Sequence, residues 1–233
     1  MSSIRAKEIT KKIQYDNRKP VVVDHDIFPV RYYQVSMPGN DDLKELFVDK
    51  IVEDSKELIT PKGWLTDKLR TSFDGEPKGK EIFFGEDDTL QNVLTAKYSK
   101  LIGGVFDARY RIKIDEIWYN VYMNGEWQEE HHHIGGGLHN PHFSCIHFLS
   151  FDKTRHERVA FSDPLDPLRC LGLELDRNDY SDRHYPNINE GDLLMFPSYL
   201  KHFVKKGIPT PDYPRITIAF NFEVLEYAGG GYD

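Results

Sequence analysis

The chain of 233 residues changes character near residue 110, and this change restricts its fold more than any other feature. Before that point, residues 40–59 and 86–110 carry apolar side chains at the spacing of amphipathic helices. After it come short runs rich in β-branched and aromatic residues, separated by Gly, Pro, Asp and Asn. These runs are residues 111–123, 143–151, 157–161, 192–197, 200–204 and 215–225. Several strands without intervening helices are typical of a sandwich or barrel with the helices packed against it.

Local signals refine this outline. Asn40 or Asp41 is placed to cap the first helix, and Gly103 and Gly104 are expected to break or bend the second. Residues 164–190 are rich in Pro, Asp and Asn and form a long connection, which is either a binding loop or an insertion. We predict one domain over 1–233, with 1–110 as a helical or mixed support region and 111–225 as the β core.

Composition excludes several classes of protein. Hydrophobic residues make up 39% of the chain, as in an ordinary globular protein. No apolar run approaches the roughly 20 residues of a membrane span, and the first residues lack the apolar stretch of a signal peptide, so we expect a cytoplasmic protein. The net charge of −8 argues against nucleic acid as a partner. Cys145 and Cys170 form no disulfide framework or CxxC spacing and are expected to be reduced.

The most specific local feature is the stretch "NGEWQEEHHHIGGGLHNPHF", residues 124–143. It follows a predicted strand, and on a strand alternate side chains share a face. His131 and His133 are therefore expected to point together and His132 to point away. His139 and His142 are interpreted as loop residues.

Other residues can join this pair. His202 follows the strand "DLLMFP", and the strand "RITIAFNF" places Arg215 and Thr217 on one face, together with Ala219 and Asn221. A mononuclear iron site for oxygen chemistry needs three protein ligands on one face, and His131, His133 and His202 fit that need. An anionic co-substrate on such a metal needs a cation deeper in the barrel, and Arg215 offers a planar fork that matches a carboxylate.

Taken together, these residues follow the order Asn-x-Tyr, His-x-His, Gly-Asp-x-x-x-Phe-Pro, distal His and Arg-x-Thr. This order resembles the Fe(II)- and 2-oxoglutarate-dependent oxygenases. Residues 118–222 are similar, more narrowly, to an oxygenase family with a His-x-His motif that is frequent in phages and marine bacteria; for a phage protein the location would be the host cytoplasm.

The resemblance implies a mainly β fold with flanking α-helices, built on a double-stranded β-helix, or jelly roll, of the cupin-like kind. It implies Fe(II) bound by His131, His133 and His202, and 2-oxoglutarate chelating that iron. The distal carboxylate of 2-oxoglutarate would meet Arg215. The secondary co-substrate contacts would be Asn120, Tyr122 and Thr217. No catalytic side chain beyond the metal site is implied.

The chain departs from the family pattern at three places. His133 stands where the wider superfamily has Asp or Glu, which makes the ligand set all-histidine. His147 and Cys145 replace Tyr and Gly of the next strand, and the link "IGGGLHNPH" is longer than usual. The last two changes bear on how the co-substrate packs and on the shape of the substrate.

The leading hypothesis is an Fe(II)- and 2-oxoglutarate-dependent oxygenase that hydroxylates a small molecule or a protein side chain and releases succinate and CO2. One alternative is a three-histidine cupin-type dioxygenase, such as a thiol dioxygenase, in which Arg215 binds the carboxylate of the substrate. The other is a non-enzymatic jelly-roll binding module. Substrate identity and oligomeric state are beyond the sequence, since fold does not fix chemistry.

Overall fold

The computed structural model of the protein describes residues 30–66, 68–73, 89–105, 110–135, 140–165 and 182–227. From Arg31 onwards these residues belong to one compact unit. The prediction of a single domain over 1–233 stays a prediction, because residues 1–29 lie outside the described part. Cys170 and His139 also lie outside it. In the parts of the chain that the structure describes, no helix is long and apolar enough to cross a membrane.

In the described parts of the chain, ten strands form two antiparallel sheets. They are β1 (Tyr33–Ser36), β2 (Arg70–Thr71), β3 (Tyr110–Tyr122), β4 (Gln128–His131), β5 (Phe143–Ser150), β6 (Val159–Ser162), β7 (Arg183–His184), β8 (Asp192–Pro197), β9 (His202–Val204) and β10 (Arg215–Tyr227). The six-stranded sheet has the order β1-β8-β5-β10-β3-β2, and the four-stranded sheet has the order β4-β9-β6-β7. From β3 onwards the chain passes back and forth between the two sheets. This path is that of a jelly roll, so the predicted fold class is confirmed.

The central part of the six-stranded sheet is buried on both faces because it lies between two layers. Towards the four-stranded sheet it contributes to an aromatic core that includes Phe148, Phe161 and Phe196. Its other face packs on the helices through a larger core, in which Leu43 and Tyr98 from the helices meet residues such as Phe220. The long β3 and β10 strands pair along nearly their whole length at the centre of this arrangement.

Among the described residues, two helices cover that outer face, as predicted. Helix α1 (Asn40–Asp54) continues into a 3-10 turn at Ser55–Glu57, and helix α2 (Thr89–Val105) keeps Gly103 and Gly104 within its last turn. The helix runs through both glycines and ends at Val105, one residue after them, and the predicted bend stays a prediction. The predicted cap is wrong: Gly39, with φ of 74°, occupies the N-cap position, and no side chain caps the helix. A positive φ favours glycine because it has no Cβ to clash.

The connection before the histidines differs from the prediction. The strand predicted to lead directly into them ends at Tyr122, and a tight turn separates it from β4. Inside the turn, the Glu126 carboxylate accepts hydrogen bonds from the backbone N–H groups of Met123 and Asn124, at 2.7 and 2.6 Å. Gly125 has φ of 78°. This turn carries the chain from the six-stranded sheet to the four-stranded sheet.

The remaining predicted strands are found within a few residues of their expected bounds. Three short strands, β1, β2 and β7, were not predicted from the sequence, and β4 was not separated from β3. The predicted long connection 164–190 contains β7. Residues 166–181 of that connection lie outside the described residues, so its proposed role as a binding loop stays a prediction.

Candidate active site

The structure brings together the three histidines that the sequence singled out. His131 is the last residue of β4, His133 follows two residues later, and His202 is the first residue of β9. His131 and His202 lie directly opposite each other in the pairing of β4 with β9. One ligand atom from each of the three side chains lies within 4.8 Å of the others. The cluster is thus built from one edge of the four-stranded sheet.

Backbone carbonyl groups set the orientation of two of these rings. Nδ1 of His131 donates to the carbonyl oxygen of Glu129 at 2.9 Å, and Nδ1 of His202 donates to that of Leu200 at 3.1 Å. A carbonyl oxygen only accepts, so Nδ1 carries the hydrogen in both rings and the Nε2 lone pair is left for a metal. Nε2 of His133 is buried and has no hydrogen-bond partner among the described residues. Three such nitrogens fit a divalent metal ion.

Burial keeps all three imidazoles neutral. It lowers the pKa of His131 and, together with repulsion from His131, lowers the pKa of His133 to about 3. Burial also places the pKa of His202 well below its ordinary value, and the two other histidines lower it further. A neutral imidazole is the form that binds metal, so no proton has to leave the site near pH 7.

The other histidines of the motif stay outside the cluster. His132 is exposed, as strand alternation predicts. Nδ1 of His142 accepts a hydrogen bond from the backbone N–H of Val224 at 2.9 Å, which gives His142 a structural role.

The proposed co-substrate residues line the same cavity as the histidines. In the pairing of β10 with β3, Arg215 lies opposite Tyr122 and Thr217 lies opposite Asn120. All four are buried and face the space between the sheets, together with His131, His133 and His202. The structure therefore brings every predicted site residue to one cavity. Their roles as metal ligands and co-substrate contacts stay predictions.

Arg215 is the most unusual of these residues. It is 2% exposed, and its Nε and Nη1 have no hydrogen-bond partner among the residues that the structure describes. Its guanidinium carbon lies 4.2 Å from the ring centre of Tyr122 and 5.5 Å from that of Phe148. Burial lowers the pKa of Arg215, while Tyr122 opposes that effect. Because a buried guanidinium with unused donors is costly, the site fits a bound carboxylate that would accept from them.

Some of the neighbouring polar side chains already have hydrogen-bond partners, and others do not. The hydroxyl of Tyr122 donates to Oε1 of Gln128 at 3.2 Å, and burial raises its pKa despite the nearby Arg215. Oδ1 of Asn120 is buried without a partner in the described part of the chain. Thr217 is 2% exposed. Asn120 thus has unused hydrogen-bonding capacity in the cavity, whereas the Tyr122 hydroxyl is already engaged by Gln128.

Aromatic residues around the cluster were missed by the sequence reasoning. Trp118 stacks on His133, with ring centres 5.6 Å apart, and Trp64 stacks on His131 at 6.4 Å. Phe73 contacts both tryptophans, at 5.7 and 5.1 Å. Trp118 shares a strand face with Asn120, so alternation contained a signal for it. Trp64 lies in an irregular segment without periodicity, where no local signal exists.

The two departures on β5, His147 and Cys145, lie two residues apart and both face the helices. His147 lies on the helix-facing side of the sheet, where its Nδ1 pairs with the Tyr98 hydroxyl at 3.0 Å and its Nε2 with Oδ1 of Asn40 at 2.8 Å. It is not among the residues that line the cavity with the three histidines and Arg215. Cys145 is a buried free thiol in the core beneath the helices, borders the cavity, and has its pKa raised by burial.

Comparison with known proteins supports the resemblance seen in the sequence. Residues 116–221 match a protein family described as "Putative 2OG-Fe(II) oxygenase". This match confirms the expected resemblance, and the description names both expected cofactors, Fe(II) and 2-oxoglutarate. No curated protein sequence matches the chain.

Solved structures of low sequence identity share the fold. A prolyl-4-hydroxylase from Pseudomonas putida has a TM-score of 0.52 at 11% identity, over 94% of this chain and 98% of that chain. HygX from Streptomyces hygroscopicus, solved with nickel and 2-oxoglutarate, has a TM-score of 0.52 at 11% identity, over 88% and 92%. The α-ketoglutarate-dependent epimerase SnoN from nogalamycin biosynthesis has a TM-score of 0.54 at 10% identity, over 84% and 78%. These similarities confirm the jelly-roll fold.

Proposed function

Because residues 116–221 match the 2-oxoglutarate–Fe(II) oxygenase family, we propose that the protein is an Fe(II)- and 2-oxoglutarate-dependent oxygenase that hydroxylates a small molecule or a protein side chain. His131, His133 and His202 would hold Fe(II), and Arg215 would hold the distal carboxylate of 2-oxoglutarate. Asn120 and Thr217 would add hydrogen bonds to the co-substrate, and Tyr122 would support the guanidinium.

One observation carries the proposal. A single cavity has three neutral imidazoles at one place and a buried guanidinium with unused donors at another. A dianion such as 2-oxoglutarate satisfies both, because one end can chelate a metal while the other end meets the guanidinium. The desolvation cost of burying Arg215 is offset when that carboxylate is bound.

The bound cofactors supply the oxidation: 2-oxoglutarate, O2 and a substrate C–H would give succinate, CO2 and a substrate C–OH. The residues of the chain bind, orient and exclude water. Phe148 and Tyr122 pack against the guanidinium, and this packing would direct its donors at the bound carboxylate rather than at solvent. Trp118 and Phe196 contact the rings of His133 and His202 and limit the access of water to them.

The test is the affinity of the metal-loaded protein for 2-oxoglutarate, titrated anaerobically with Fe(II) and followed by its visible charge-transfer absorption. A charge-assisted bond contributes about 1.5–3 kcal/mol, so Arg215→Met is expected to weaken 2-oxoglutarate binding by roughly tenfold to a hundredfold. Its metal affinity is expected to stay near that of the wild type, because Arg215 is not a ligand.

Arg155→Met is the matched control. Arg155 pairs with Asp212 at the surface, at 2.7 Å, and the variant is expected to bind 2-oxoglutarate like the wild type. A wild-type protein that binds metal but no 2-oxoglutarate would point to the three-histidine dioxygenase or to the binding module instead. Equal binding by the wild type and Arg215→Met would assign the carboxylate to another residue.

A further inference from the structure

Glu129 connects a predicted metal ligand to a distant loop. Its backbone carbonyl accepts the Nδ1 hydrogen of His131 at 2.9 Å. Its carboxylate accepts hydrogen bonds from the backbone N–H groups of Leu65 and Thr66, at 3.0 and 3.4 Å. Leu65 and Thr66 belong to the segment between Thr60 and Leu69, of which the structure describes residues 60–66, 68 and 69, and we name these residues the 60–69 loop. One residue of β4 therefore contacts both the ligand and this loop.

The 60–69 loop is closed on itself and lies against the histidines. The hydroxyl of Thr60 donates to the carbonyl of Leu69 at 2.9 Å and so joins the two ends of the loop. Trp64, next to the two residues held by Glu129, stacks on the ring of His131 with an angle of 25° between the planes. Since the Glu129 carboxylate fixes the residues beside Trp64, it also fixes the ring that covers His131.

Charge gives Glu129 a second effect. The candidate ligand set consists of three neutral imidazoles, and the described residues contribute no carboxylate to it. Because these ligands are neutral, they would not offset the positive charge of a divalent ion bound there. Glu129 is only partly exposed, and its negative charge acts on His131. An anion close to a ligand raises the basicity of that ligand and stabilises the ion through it.

We infer that Glu129 is a positioning residue of the metal centre, which orients His131 through its carbonyl, fastens Trp64 over the same ring, and supplies from outside the ligand set the carboxylate that the set lacks. This inference rests on the part of the proposed function in which the three histidines bind a divalent metal. Neither the family description nor the sequence pattern assigns a role to Glu129 or to the 60–69 loop.

The test uses Co(II) as the metal probe and the full chain as the protein. Glu129→Gln removes the charge but keeps one acceptor for the loop. Partners of this kind typically contribute 10- to 100-fold in metal affinity, so Glu129→Gln is expected to weaken Co(II) binding by about tenfold or more and to shift the visible Co(II) absorption. The thermal midpoint of the metal-free variant is expected to stay close to that of the wild type.

Glu130→Gln provides a matched control on the same strand. The Glu130 side chain is directed to other partners, Ser162 and Arg183, within the four-stranded sheet. Glu130→Gln is expected to bind Co(II) with the affinity and spectrum of the wild type. If Glu129→Gln and Glu130→Gln both bind like the wild type, the inference is wrong, whereas a wild type that binds no Co(II) would overturn the proposed function itself.

Trp64→Ala keeps the inference testable if Glu129→Gln does not fold. It leaves the carboxylate of Glu129 in place and removes the ring over His131. We expect Co(II) affinity several-fold below that of the wild type, because water gains access to the imidazole. Wild-type affinity in a folded Trp64→Ala protein would exclude a role of the loop in the metal centre.

Discussion

By the resemblance seen in the sequence, His133 stands where the wider oxygenase superfamily would have a carboxylate. A carboxylate is also a competent ligand for Fe(II), so His133→Asp is expected to retain one metal ion per chain. His132→Ala is expected to change metal content little, because His132 is exposed and lies outside the cluster. His202→Ala is expected to lose the metal. The measurement is metal content after dialysis; loss in His132→Ala with retention in His133→Ala would reverse the assignment of the pair.

The residues of the site could be predicted from the sequence wherever side chains alternate regularly along a strand. Alternation along β10 and β3 was enough to group Arg215 with Thr217 and Asn120 with Tyr122, since a strand has only two faces. Trp64 and Glu129 were not predictable in the same way. Their contacts join an irregular loop to a strand far along the chain, and no local spacing encodes such a contact.

At the scale of elements, the turn between β3 and β4 decides where the histidines lie. A Cβ on Gly125 would come within 2.6 Å of the carbonyl oxygen of Gly207, and its φ of +78° is one that L residues avoid. Gly125→Ala is therefore expected to destabilise the fold by about 2–4 kcal/mol, from backbone strain and from the clash together. Metal affinity is expected to fall as well, because β4 must shift. Urea unfolding and metal titration provide the two measurements.

Gly63→Ala separates the two causes. Gly63 has φ of +95°, but a Cβ at this position would meet no atom of the described residues within 4 Å. The substitution there is expected to cost only the backbone strain, about 1–2 kcal/mol. Equal losses of stability in the two variants would show that the contact with Gly207 is unimportant.

The elements that the sequence misplaced share a physical reason. β2 and β7 contain two residues each, too few to show a period, and their pairing is set by neighbouring strands. The prediction that Asn40 caps the first helix was wrong because its side chain makes other hydrogen bonds. Its amide donates to the carbonyl of Leu149, and its Oδ1 pairs with His147. Tertiary hydrogen bonds to β5 therefore replaced the local hydrogen bond that would cap the helix.

At the scale of the whole molecule, His147 links the helical layer to the six-stranded sheet. It is fully buried between Tyr98 and Asn40, and burial lowers its pKa to about 3. In the unfolded chain its pKa is near 6.5, so the unfolded state binds a proton below that pH while the folded state does not. Through His147, the free energy of unfolding is therefore at its full value above pH 6.5 and decreases as the pH falls towards 3.

The size of the effect follows from this difference. Lowering the pH from 8 to 5 is expected to cost about 2 kcal/mol of unfolding free energy through His147 alone. His147→Gln removes the titrating group, so its loss of stability between these pH values is expected to be smaller by that amount. Urea unfolding of both proteins at pH 8 and pH 5 measures the difference, and identical losses would contradict it.

The strand order has a consequence for the synthesis of the protein. β10 lies between β5 and β3, yet it is the last strand in sequence among those that the structure describes. Before residues 215–227 have left the ribosome, β10 cannot pair with β3 and β5, so no strand joins these two. The three histidines then lie in a cavity that still lacks Arg215. Long-range pairing of this kind is slow and must wait for its final partner. Nascent chains that lack β10 would thus carry an incomplete sheet with two exposed hydrogen-bonding edges, and such edges favour aggregation.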